Sequence, residues 1–205
     1  VTEFAQEVAV DSSGAIIAVG TSGDADSVVQ KFSSAGAPVA SFGTNGRLEV
    51  NLTGDTEGLS AVETVGTEFV AAGGAGQASY LVRFNADGSR SGTFGGTDGV
   101  VILDLPGPDL ARDLALGAGG SVYVGGGQGT GGGYVARLNS SGALSGLGAT
   151  GVVDVPFEVE AIELLASGDV LAAGSEDGDF KLVRVSGSAG AIDATFGVVT
   201  VDIDA

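Results

Sequence analysis

Half of the chain's eight basic side chains, Lys31, Arg83, Arg137 and Arg184, stand 47 to 54 residues apart, each inside an apolar run. A cation held in apolar surroundings needs a carboxylate or a bound anion beside it, because an unpaired buried charge is costly. Acids recur in step: Glu49, Asp104, Asp154 and Asp202 follow these cations by 17 to 21 residues, each in the next apolar run. Ion pairs between neighbouring strands are the expected arrangement. The competing arrangement is a row of cations around a channel that captures an anion.

A second set of acids, Asp24 with Asp26 and Asp177 with Asp179, forms two Asp-x-Asp loops. Calcium takes six to eight oxygens and suits such loops, although the full signature of a known calcium loop is missing, so a solvated loop is the competing reading. The chain has no His, Cys, Met or Trp. That removes imidazole and thiolate metal sites, thiol nucleophiles and every Ser-His or Cys-His dyad. The acids offer no pair with an evident sugar platform, and GQGTGG at 127 to 132 lies between apolar runs rather than before a helix. No enzyme is expected. With 26 acidic residues and a formal net charge of -18, binding to nucleic acid or to an anionic membrane is excluded as an expectation.

The elements that must position these residues repeat. SSGAIIAVG (12 to 20), VGTEFVAAG (65 to 73), AGGSVYVGG (118 to 126) and ASGDVLAAG (166 to 174) are four copies of one motif. Each is followed by a second, ending in SFG, TFG, GLG and TFG, and then by a third: RLEVNL, VVILDL, VVDVP and VVTVDID. The period of about 50 residues lies in the range of propeller blades. Every copy has four short runs rich in Val, Ile, Leu, Ala and Phe between Gly, Asn, Asp and Ser turns, and none shows a sustained helical period. The expected fold is all-β: a four-fold repeat β-propeller of about four four-stranded blades, with a solenoid of β repeats as runner-up. One domain spans 1–205, with repeats near 1–52, 53–105, 106–156 and 157–205. Phe42, Phe94, Leu147 and Phe196 share one repeat position, where packing between blades is expected. Counting blades from the second strand, Glu7 to Val10 would close a ring beside Val199 to Ile203.

The succession SGxhhhhG, hhxRFNxDGSxxxxFG and GVVxxDh (h for apolar) resembles the delta-60 repeats of bacterial surface and secreted β-propellers, closest at RFNADGSRSGTFG (83 to 95). Copies one and four depart at the turn, and copy three has Leu147 in place of Phe. The resemblance covers nearly the whole chain and implies a bacterial extracellular or cell-surface setting, but no single activity. A chain that starts at Val1 and lacks Met is expected to be the mature product of a longer precursor. No apolar run reaches the roughly 18 residues of a membrane-spanning helix. Two functions fit: a structural subunit that self-associates into a filament, sheath or matrix, and a surface module that binds a polysaccharide or protein through its loops, with calcium as an accessory.

Overall fold

Each repeat builds one antiparallel sheet whose strands pair in chain order. The computed structural model of the chain describes residues 2–23, 26–52, 56–129 and 131–202. The first sheet holds β1 (Phe4–Val10), β2 (Ile16–Thr21), β3 (Ser27–Phe32) and β4 (Arg47–Val50), and the second holds β5 (Glu57–Val65), β6 (Glu68–Ala75), β7 (Ala78–Phe84) and β8 (Val100–Ile102). The third holds β9 (Asp109–Leu116), β10 (Val122–Gln128), β11 (Gly132–Leu138) and β12 (Val152–Val155). In the fourth, β13 (Glu158–Leu164), β14 (Val170–Glu176) and β15 (Asp179–Ser186) are followed by a two-residue β16 (Ala191–Ile192) and by β17 (Val198–Val201), both paired with β15. These are four blades of a β-propeller fold. The only helical element among the described residues is a 3-10 turn at Ala118–Gly120.

The chain divides into two compact units of two blades each, Val1–Asp104 and Leu105–Ala205, where the sequence reading sets one domain. Within each unit, the period-two alternation of the strands gives every blade two apolar faces. The forward face of one blade packs on the rear face of the next. In the first unit Ile17, Val29 and Phe42 meet Val62, Phe69 and Tyr80; in the second Tyr123, Val135 and Leu147 meet Ile162, Val170 and Val183. Each such side chain contributes about 1.5–3 kcal/mol on burial. Phe69 stacks on Phe84 with centroids 4.9 Å apart, and Phe42 tilts onto Phe69 at 6.1 Å.

The first strand of every blade carries a β-bulge, between Ala5 and Glu7, Leu59 and Ala61, Ala111 and Asp113, and Val159 and Ala161. Facing it is the glycine that closes the first sequence motif: Gly20, Gly73, Gly126 or Gly174. A Cβ on Gly73 would lie 1.9 Å from the Gly58 carbonyl oxygen, and the other three are as tight. These glycines are therefore demanded by backbone approach.

The expected clasp does not form as drawn. Phe4–Val10 is the first strand of the first sheet, and the fourth sheet supplies its own first strand, β13. Ile203 lies outside the described residues. Strands from its own repeat satisfy each sheet without borrowing.

Candidate functional site

The four cations occupy equivalent places on the third strand of their blades, opposite Ile17, Val70, Tyr123 and Leu171 of the second strand. Their partners are not the acids expected from spacing. Glu49 stands opposite Val28 and Asp154 opposite Tyr134, each three residues from its cation. Asp104 and Asp202 follow Ile102 and Val201, which pair with Tyr80 and Phe180, so each lies five residues from its cation. An odd offset puts acid and cation on opposite faces of the pleat.

The carboxylates come instead from three different places. Lys31 Nζ lies 3.1 Å from Asp11 Oδ2 in the turn between β1 and β2, and donates to the Ala86 carbonyl of the second blade at 3.2 Å. Asp11 Oδ1 accepts the amides of Ser13 and Ala15. Burial opposes the charge on Asp11, but bonds from the Ser13 hydroxyl, Lys31 and these amides hold its carboxyl below the ordinary value. Arg83 donates through Nε and Nη2 to Glu68 at the start of β6. Arg184 uses the same two nitrogens for Asp193, in the loop after β16; the Arg184 hydrogen bonds, with the Thr195 and Phe196 amides, lower the Asp193 pKa. Glu49 pairs with Arg47.

Arg137 departs from this pattern. Its Nη1 donates to the Gly146 carbonyl at 3.2 Å and its guanidinium lies over the Tyr123 ring at 5.5 Å. Its Nε is buried with no hydrogen-bond partner, and it makes no ion pair among the described residues. The residue equivalent to Asp11 is Gly117, and that equivalent to Glu68 is Ser121. Arg137 borders a cleft of about 480 Å³ whose walls include Leu116, Gly117, Tyr123, Leu164 and Leu165. The matching cleft in the first unit, about 370 Å³, contains the closed Asp11–Lys31 pair.

Phe42, Phe94 and Leu147 are buried, the first and third at the forward faces described above; Phe196 is half-buried, with Arg184 over its ring at 5.3 Å. Among the acidic loops, Asp24 lies outside the described residues, and Asp26 accepts from Asn51 Nδ2 at 2.8 Å. Asp177 sits at φ 54° in a tight turn, and Lys181 Nζ lies 3.5 Å from Glu176 and 3.8 Å from Asp179. Among the described residues no three potential metal-ligating acids converge.

Sequence reasoning missed two devices. Glu7 and Asp113, just past the bulges of β1 and β9, accept the backbone amides of Val62 and Ile162 in the following blade at 2.6 and 2.7 Å. Ser27 and Tyr80 share a buried hydroxyl hydrogen bond of 2.5 Å between the first two blades, and burial raises the Tyr80 pKa. Only an acid at the bulge position of alternate repeats signalled the first.

The two terminal sheets expose faces that are covered elsewhere. On the rear face Val8 is 62% exposed, whereas the equivalent Val62, Leu114 and Ile162 are 2%, 3% and 7% exposed. On the forward face Val201 is 47% exposed, against 1%, 2% and 3% for Val50, Leu103 and Val155. Phe4 and Val10 accompany Val8, and Phe180 and Val199 accompany Val201.

No family model matches the chain, and no curated protein does. Solved structures do. A crystal structure of a protein of unknown function from Bacteroides caccae is similar with a TM-score of 0.59 at 13% identity, over 98% of this chain and 62% of that one. YCF48 bound to D1 peptide is similar with a TM-score of 0.53 at 16% identity, over 94% of this chain and 55% of that one. At these identities the likeness concerns the fold, and this chain spans only 55 to 62% of the length of those proteins.

Proposed function

We propose that this chain is a non-catalytic structural module that assembles blade to blade, the forward face of one copy docking on the rear face of the next. The observation that carries this reading is the exposure of Val8 and Val201 at positions buried in the other three blades. The occupant follows from the interfaces inside each unit, where the forward face of one repeat meets the rear face of the following repeat. Such a contact is heterologous: it yields a ring if the rotation closes and a filament if it does not. The sulfur-free composition and the resemblance to surface and secreted repeats support an extracellular setting for that assembly.

Sedimentation and light scattering test it with Val8→Asp and Val201→Asp, both at exposed positions where folding tolerates the change. The natural sequence should form oligomers whose size grows with concentration, and each variant alone should be monomeric. Mixing the two leaves one intact forward face and one intact rear face, so the mixture should stop at a dimer. A natural chain that stays monomeric at every concentration, or oligomers indifferent to both variants, would overturn the proposal.

A further inference from the structure

We propose that the cleft beside Arg137 binds the carboxylate of an apolar peptide. This stands apart from the assembly reading, because it concerns a site inside the second unit. The argument is a comparison of the protein with itself. In the second and fourth blades the Nε and Nη2 edge of the equivalent arginine holds a carboxylate, from Glu68 and from Asp193. In the first blade the equivalent lysine holds Asp11. The third blade keeps the cation and has no acid at any of these sources: Gly117 replaces Asp11, Ser121 replaces Glu68, and the loop from Asn139 to Gly151 contains no Asp or Glu. The Nε is left buried and unpartnered. An arginine fork matched to carboxylate geometry, holding no acid among the described residues and with its Nε unpartnered, is a receptor for the group its sisters already hold.

The surroundings narrow the ligand. Gly117 keeps the cleft open, since a Cβ there would approach the Tyr123 ring to 2.8 Å and Leu164 to 3.3 Å. Leu116, Leu164 and Leu165 offer apolar contact beside the cation. A net charge of -18 repels polyanions over long range, so the ligand that fits is one carboxylate attached to an apolar body. A peptide's C-terminal carboxylate and a single acidic side chain between apolar residues share that chemistry.

Isothermal titration of the full chain distinguishes them with three probes: acetyl-Leu-Leu-Leu with a free C-terminus, its C-terminal amide, and Leu-Glu-Leu blocked at both ends. The free acid, the Glu peptide or both should bind, and the neutral amide at least ten-fold more weakly. Arg137→Gln should weaken binding at least ten-fold, whereas Arg83→Gln should leave it unchanged because Glu68 already fills that fork. Ser121→Glu, which places an acid where the second blade carries Glu68, should occupy the Arg137 edge from within and abolish binding, with circular dichroism confirming the fold. Equal binding of acid and amide, no binding of any probe at millimolar concentration, or binding insensitive to Arg137→Gln would overturn the proposal.

Discussion

Asp11 and Lys31 bury an ion pair whose side chains are almost entirely removed from solvent. Breaking such a pair by removing one partner leaves a charge with no compensation, so Asp11→Asn should cost about 3 kcal/mol at neutral pH. The pH dependence has a definite sign. Because the folded-state pKa of Asp11 is lowered, its contribution is complete above the unfolded value of about 3.9 and is lost as pH falls through the folded value. Asp113 behaves oppositely. Burial, offset by the Ile162 and Leu114 amides and reinforced by Glu163, raises its pKa. It therefore binds its proton more readily when folded, and costs stability as pH rises from the unfolded value through the raised one. Urea denaturation between pH 3 and pH 7 should show the Asp11→Asn penalty shrinking toward acid. Asp113→Asn keeps only one of the two oxygens that accept the Ile162 and Leu114 amides, so it should destabilise, with a penalty that is smallest at pH 7 and grows toward acid.

At the scale of the strand, the bulge is the constraint that shapes each blade. Gly73→Ala would drive a methyl into the Gly58 carbonyl and should cost about 3 kcal/mol or more. Gly66→Ala, at φ 65° with open space around it, should cost only about 1 kcal/mol from backbone strain. Thermal melts of the two variants separate close approach from turn conformation. The same contrast explains what the sequence made legible. Alternation and turn residues located the four sheets, since both are local properties of the strand. The bulge is local too, but its mark is a glycine that looks like punctuation. The ion partners were misassigned because spacing along the chain does not state register: three residues of offset were enough to turn Glu49 away from Lys31. Finding Asp11 required reading DSSGA as a turn whose side chain also reaches sideways. The unfilled Arg137 was visible only by subtraction, once the partners of its three equivalents were known.

For the whole molecule, charge and apolar exposure pull in opposite directions. Copies at -18 repel each other over about 30 Å at 0.01 M salt and only about 10 Å at 0.1 M. Oligomers formed through Val8 and Val201 should thus grow as ionic strength rises, as sedimentation at the two salt concentrations would reveal. Shrinkage in salt would point to polar contacts instead. Peptide capture at Arg137 should respond the other way and weaken in salt, since it depends on attraction between two charges.

The carboxylate bonds from Glu7 to Val62 and from Asp113 to Ile162 occur only in alternate blades, with Ala61 and Ala161 at the same position in the others. Each bond ties the first strand of an odd blade to that of the blade after it, so a pair of blades, rather than a single one, is the smallest piece that opens together. In deuterated solvent the amide protons of Val62 and Ile162 would then exchange only when such a pair comes apart, making them reporters of the slowest cooperative opening in each half of the chain.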